Sequence, residues 1–132
     1  MAEQHHDEDA TPLADTRRAQ IAARRYRQEC RGIIIAGLRY ATDRASQGRI
    51  TSAVLAARQA QELEQPFSVR WKTADGWAEL DAAGVIAFGN AALAYVQACF
   101  DREQALLGAL EAGTYTDAML GTGWPDSEVQ AP

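Results

Sequence analysis

The sequence predicts an α+β fold in which two β-hairpins form a small antiparallel sheet packed with three helices, in the order α-ββ-α-ββ-α, the last helix being long. Three observations lead to this prediction. Apolar residues recur at helical spacing in three segments, two shorter segments have strand character around tight turns, and an aspartate follows each hairpin where a helix would begin. Because an isolated hairpin is marginally stable in water, we expect both hairpins to share one four-stranded sheet.

The domain organisation follows from length and composition. A chain of 132 residues has room for one domain with an ordinary core. Residues 1–12 are acidic and polar and show no apolar periodicity, so we expect a flexible acidic tail there. We place a single α+β domain at residues 13–125 and a polar C-terminal tail at residues 126–132.

The first helix is predicted to run from an N-cap at Asp15 to about Arg31. On a helical projection its small and apolar side chains share one arc, which we expect to face the core: Ala19, Ala22, Ala23, Tyr26 and Cys30. A basic face lies opposite and consists of Arg17, Arg24, Arg27 and Arg31. The first hairpin follows, since three consecutive isoleucines favour a strand and Ala36-Gly37 suits a tight turn.

The second half repeats this layout. Asp43 is expected to cap a second helix that reaches about Glu64, with inner positions at Ile50, Ala53, Val54, Ala57 and Ala60. After Pro66, alternating apolar and polar residues predict a second hairpin that turns at Asp75-Gly76. Asp81 is expected to cap the third helix, which reaches about Glu111 and stops before Gly113.

The third helix carries two apolar stripes side by side. The first stripe consists of Val85, Phe88, Ala92, Tyr95, Cys99 and Leu106, and the second of Ile86, Gly89, Leu93, Val96, Phe100, Leu107 and Leu110. A helix that covers one side of a small sheet requires only one such stripe, so we expect a partner chain to bury the rest. The predicted contacts are Phe88, Leu93, Tyr95, Val96, Phe100 and Leu107. The alternative is a broad core within the chain.

The basic face of the first helix has four readings: a solvated face, a surface for a protein partner, a surface for nucleic acid, or a face that the acidic tail folds back on and screens. We retain it as a candidate partner-binding surface. A formal net charge of −5 argues against nucleic acid as a partner. No apolar run of about 20 residues is evident, so we expect no membrane association.

Catalytic motifs are missing from the sequence. It contains no glycine-rich phosphate loop, no GxSxG turn, no HExxH and no CxxC. Its two histidines, His5 and His6, are adjacent in the acidic tail, where a rigid metal site is not expected. We therefore predict no enzymatic activity, no metal site and no cofactor.

Three segments resemble a known family of domains. They are Thr42-Asp43-Arg44-Ala45-Ser46-Gln47, Trp71-Lys72-Thr73-Ala74-Asp75-Gly76 and Val96-Gln97-Ala98-Cys99-Phe100-Asp101. They are similar to an uncharacterised domain-of-unknown-function family found in tail-fibre and tail-assembly proteins of tailed bacteriophages and prophages, and the resemblance covers about residues 23–125. It supplies no catalytic residues, and Asp43 and Asp81 retain a structural explanation as helix caps.

The resemblance implies a context for function. We expect a structural subunit of the tail tip or fibre region, or a chaperone of tail-fibre assembly, that acts through protein–protein contacts. Its partner would be a tail-fibre or tail-tip protein, or a second copy of the chain in a homo-oligomer. It would be located in the host cytoplasm during assembly or in the virion tail. The alternative is a phage-encoded inhibitor that binds a host protein.

Overall fold

The secondary-structure elements follow the predicted order. The computed structural model describes the backbone of residues 2–129 and the side chains from residue 12 to residue 129. Within that part, the elements are α1 (Ala2–Glu29), β1 (Ile33–Ile35), β2 (Leu38–Tyr40), α2 (Arg44–Glu62), β3 (Ser68–Thr73), β4 (Gly76–Asp81), α3 (Ala82–Ala112) and a short 3-10 helix (Asp117–Gly121). The fold class, the order α-ββ-α-ββ-α and the long last helix are thereby confirmed.

The two hairpins form separate antiparallel sheets. Within residues 2–129, β1 forms one two-stranded sheet with β2, and β3 forms another with β4. The hairpins meet at one backbone hydrogen bond, in which the Ala74 amide in the β3–β4 turn donates to the Arg39 carbonyl at 3.0 Å. The expected single four-stranded sheet is therefore wrong, because a turn rather than a strand edge lies against β2.

The outer edge of β1 is occupied by the C-terminal segment. The Ile34 amide donates to the Ser127 carbonyl at 2.8 Å, and the Val129 amide donates to the Ile34 carbonyl at 2.9 Å. Part of the predicted polar tail is thus bonded to a strand. Residues 130–132, the end of that predicted tail, lie outside the described residues.

The first hairpin turns where the sequence predicts. Ile35 and Leu38 are opposite each other, so Ala36 and Gly37 form a two-residue loop. Both loop residues have positive φ, 51° at Ala36 and 82° at Gly37. Positive φ at both positions is what the type I′ turns of tight hairpins require, and glycine adopts it without steric cost.

Two compact units make up the chain. One contains α1 up to Gln28 together with Cys99–Trp124, and the other contains Glu29–Ala98 with the residues from Pro125 onward. α1 and α3 therefore contribute residues to both units. The assignment of residues 13–125 to a single domain stays a prediction, as does the flexibility of residues 1–12.

The first unit has its core on a face of α1 that the sequence did not predict. Ile21 is fully buried and packs with Leu106 and Tyr115, whereas Ala19 and Ala23 are exposed. α1 also begins at Ala2 and continues through Pro12, so Asp15 lies inside the helix and pairs with Arg18 at 2.8 Å. The predicted inner arc is wrong because one large aliphatic side chain buries more apolar surface than a row of alanines.

The C-terminal part of the first unit is held by side chains of α3 and by Trp124. Arg102 donates to the carbonyls of Thr122 at 2.9 Å and Met119 at 3.1 Å. The indole of Trp124 donates to the Leu120 carbonyl at 2.8 Å and packs against the core cluster around Ile21. Arg102 therefore fixes the segment that returns after the end of α3.

The core of the second unit is built from the hairpins, α2 and α3. The Phe88 ring lies 4.6 Å from that of Tyr40 and 5.4 Å from that of Trp71, centroid to centroid. Among the predicted inner positions of α2, Ile50, Ala57 and Ala60 are buried and Ala53 and Val54 are half-buried. The apolar spacing of α2 therefore predicted its inner face correctly.

Candidate functional site

The first apolar stripe of α3 lies in the core along its whole length. All six of its side chains are buried: Val85, Phe88, Ala92, Tyr95, Cys99 and Leu106. One stripe of this width is what a helix needs to pack on the rest of its own chain. The first stripe therefore requires no partner to account for it.

The second apolar stripe is incompletely covered. Leu93 leaves 69% of its surface exposed. The other six members are half-buried: Ile86, Gly89, Val96, Phe100, Leu107 and Leu110. From Ala82 to Phe100 the helix also carries no charged side chain. This stripe is the part of α3 that the chain's own core leaves partly open to solvent.

The predicted contact residues of α3 divide according to their surroundings. Phe88 and Tyr95 are buried in the core. Phe100 lies under the Arg25 guanidinium, 4.5 Å from its ring centroid, and Leu107 packs against the core cluster of the first unit. Among the predicted contacts, Leu93 is thus the exposed one, and Val96 is half-buried.

A shallow hollow of about 100 Å³ adjoins Leu93. Its walls come from α2 through Gln47, Ile50 and Thr51, and from α3 through Gly89, Ala92, Leu93 and Val96. The two helices approach closely here, since a Cβ atom added to Gly89 would lie 2.4 Å from Cγ2 of Val54. The bare backbone of Gly89 therefore has an explanation within the chain.

The four arginines of the basic face predicted on the first helix differ in their contacts. Arg17 lies 3.6 Å from the Asp117 carboxylate and over the Tyr115 ring, and Arg24 lies over the Trp124 ring at 5.8 Å. Arg27 is exposed, and Arg31 is exposed beyond the end of α1. Two of the four arginines thus contribute cation–π contacts inside the first unit.

The segment Thr42–Gln47 surrounds a carboxylate that the sequence analysis overlooked. The Glu29 side chain is fully buried, and it accepts hydrogen bonds from Arg44 Nε at 2.7 Å, Arg44 Nη2 at 3.2 Å and Gln47 Nε2 at 2.8 Å. The Thr42 hydroxyl donates to the Glu29 carbonyl at 2.7 Å. A buried carboxylate requires such partners, so this motif has a structural role. One signal was available, since Glu29 is an acid among four arginines near the end of α1, Arg24, Arg25, Arg27 and Arg31.

The two aspartates predicted as caps lie at helix starts. Asp43 accepts from the backbone amide and the hydroxyl of Ser46 at the start of α2. The hydrogen bond from the Ser46 hydroxyl is the main reason that the pKa of Asp43 lies below its usual value, and the bond from the Ser46 amide adds to it. Asp81 accepts from the Gly84 amide at 2.8 Å at the start of α3.

The described residues include no cluster of side chains that could bind a metal ion. No group of three or more His, Cys, Asp or Glu side chains there is placed to hold a metal ion. The side chains of His5 and His6 lie outside the described residues.

α3 is long and apolar enough to cross a membrane by length and composition, which the sequence analysis did not anticipate. The core helix of a soluble protein passes the same test, but such a helix is mostly buried, whereas only 28% of the apolar window of α3 is buried within the chain. The predicted absence of membrane association stays a prediction.

Comparison with known proteins gives one match. A family model described as a domain of unknown function, DUF4376, matches residues 12–122. Neither the curated proteins nor the solved structures include one that matches the chain. The matched range includes residues of both compact units and the segments Thr42–Gln47, Trp71–Gly76 and Val96–Asp101. The chain belongs to the DUF4376 family.

Proposed function

We propose that this protein is a non-enzymatic, phage tail-associated protein that acts by binding another protein chain. It serves as a structural subunit of the tail tip or fibre region, or as a chaperone of tail-fibre assembly, and its partner is a tail-fibre or tail-tip protein. Two considerations support this proposal. The sequence resembles domains of tail-fibre and tail-assembly proteins, and α3 presents an apolar surface that the chain itself leaves partly open.

The observation that carries the proposal is the exposure of Leu93. This residue is 69% exposed on a helix whose neighbouring stripe is buried. Burial of a leucine side chain contributes about 1.5–3 kcal/mol, so a partner that covers Leu93 gains most of that. Its exposed neighbours along the helix, Asn90 and Gln97, are polar but uncharged. Charged residues are depleted from the cores of protein interfaces, which this surface matches.

A co-purification experiment tests the proposal. The chain would be co-expressed with a tagged tail-fibre protein of the same phage or prophage, as wild type and as Leu93→Asp. Leu55→Asp provides a matched control, because Leu55 is also a leucine on a helix and is 65% exposed, but it does not line the hollow beside Leu93. We expect wild type and Leu55→Asp to co-purify with the fibre protein and Leu93→Asp to be lost. Equal recovery of all three would contradict the assignment to α3.

Fractionation of infected cells separates the possible roles. A structural subunit sediments with purified virions, whereas an assembly chaperone co-purifies with the fibre protein in the lysate and is missing from virions. A phage-encoded inhibitor would do neither and would co-purify with a host protein. That last outcome would overturn the proposal in favour of the alternative.

A further inference from the structure

A basic groove opens in the second unit, and no residue of α3 lines it. It has a volume of about 630 Å³ and lies beside β2 and β3. Five of the chain's 13 basic residues line it: Arg31, Arg39, Arg49, Arg70 and Lys72. In a chain of net charge −5, this is a local concentration of positive charge.

The cations of the groove are only partly neutralised. Among the described residues, no Asp or Glu lines the groove, although Glu79 faces Arg70 across the β3–β4 pair. The Arg49 side chain donates to the Ser46 hydroxyl at 3.2 Å, whereas the side chains of Arg70 and Lys72 make no hydrogen bond or ion pair within residues 12–129. Like charges in one concavity repel each other and concentrate the field there, so an anion that enters is stabilised.

Two tryptophans give the groove an apolar component. Trp71 is half-buried, and its ring packs edge-on against Phe88 at 5.4 Å, which fixes it in place. Trp77 is opposite Lys72 in the strand pair and is 65% exposed. Tryptophan and arginine are the residue types that most often dominate the binding energy of protein interfaces.

We infer that this groove binds an acidic segment of a protein partner, with carboxylates on the cations and an apolar side chain against Trp77. The inference rests on the proposed function, namely that the chain binds another protein. Four of the five cations are arginines, whose guanidinium groups pair with carboxylates through two parallel hydrogen bonds. A long nucleic acid would extend beyond the groove over a chain of net negative charge and be repelled, whereas a short acidic segment contacts only the groove.

A peptide titration tests the inference. The probe is a fluorescein-labelled peptide of alternating aspartate and glutamate with one central leucine, and its binding to the full chain is followed by fluorescence anisotropy. Lys72→Glu reverses a charge on an exposed strand position, and Lys72→Gln removes that charge with little structural change. Arg58→Glu is the matched control, because Arg58 is exposed on α2 and does not line the groove.

We expect the wild type to bind the peptide, Lys72→Glu to weaken binding about tenfold and Lys72→Gln to weaken it less, with Arg58→Glu unchanged. Trp77→Ala should also weaken binding several-fold. No binding by the wild type, or an equal loss from Arg58→Glu, would overturn the inference. A thymidine oligonucleotide of equal length serves as the competing probe, and tighter binding of it would reassign the groove to single-stranded nucleic acid.

The outcome is separable from that of the proposed function. If the fibre protein co-purifies with the chain and the Lys72 variants leave both that complex and peptide binding intact, the groove assignment fails while the proposed function stands. If no protein partner is found, the proposed function fails, and the titration still reports whether the groove binds an acidic segment.

Discussion

The close approach of α2 and α3 beside the exposed stripe can be tested with two glycines of the same helix. Gly89 and Gly108 both lie inside α3. A Cβ atom at position 89 would lie 2.4 Å from Cγ2 of Val54, whereas one at position 108 would have no neighbour within 4 Å among the described atoms. Val54 is β-branched and has little rotamer freedom in a helix, so it cannot swing away.

The two alanine substitutions should therefore change stability in opposite directions. Replacement of a helix-interior glycine by alanine favours the helix by about 1 kcal/mol. At Gly108 this gain stands alone, so Gly108→Ala should stabilise the protein by up to about 1 kcal/mol. At Gly89 overpacking costs about 1–3 kcal/mol, so Gly89→Ala should be destabilising by roughly 1 kcal/mol after the helix gain is subtracted.

Urea denaturation followed by far-ultraviolet circular dichroism measures both changes. We expect a difference of about 2 kcal/mol in the free energy of unfolding between the two variants, with Gly108→Ala the more stable. Equal stabilisation by both alanines would refute the close crossing of α2 and α3. It would also remove the wall that α2 contributes to the hollow beside Leu93.

Three further substitutions test local features of the second unit. Ala36→Asn should raise the free energy of unfolding by about 1 kcal/mol, because asparagine tolerates the positive φ of 51° better than alanine, and an unchanged midpoint in urea would argue against this turn. Arg44→Ala should lower the free energy of unfolding by about 2 kcal/mol, because it removes the partly exposed cation that donates two hydrogen bonds to the buried Glu29 carboxylate, and an unchanged free energy of unfolding would contradict that pairing. Asp43→Asn should lower stability at neutral pH, and the deficit should shrink as acid is added. The reason is that the pKa of Asp43 is lowered in the folded state. The contribution of Asp43 to stability is therefore complete above its unfolded pKa and is lost as the pH falls through its folded pKa. A deficit that does not change between neutral pH and pH 3 would contradict this prediction.

Local features of the fold were predictable because they depend on residues close in sequence. Positive φ at Gly37 and the helix starts at Asp43 and Asp81 follow from elementary backbone chemistry. The first stripe of α3 was also predictable, since six apolar residues at helical spacing point the same way whatever they pack against.

Features that depend on tertiary packing were not predictable. The prediction of a single sheet was wrong because the sequence does not indicate whether one hairpin contacts the other through a strand edge or through a turn. The prediction of the inner face of α1 was wrong because the guanidinium groups of Arg17 and Arg24 lie over the rings of Tyr115 and Trp124, which are distant in sequence. The burial of Glu29 likewise depends on Arg44 and Gln47, which lie beyond an intervening hairpin.

The candidate site on α3 was predictable in part. The sequence indicated that α3 has more apolar surface than one core requires, and one of its two stripes is indeed only half-covered. It could not indicate that Phe88 and Tyr95 belong to the covered stripe while Leu93 is exposed, because that depends on which side of α3 the hairpins and α2 occupy. The basic groove escaped notice because its cations come from separate elements of the chain.

The central claim is that the exposed segment of α3 around Leu93 binds a protein partner. Size-exclusion chromatography with light scattering tests it most directly, on the purified chain with and without the tail-fibre protein of the same phage or prophage. The account predicts a species with the combined mass of the two proteins that is lost with Leu93→Asp and retained with Leu55→Asp. The claim would be contradicted by a monomer that does not bind the fibre protein, or by a complex that still forms with Leu93→Asp.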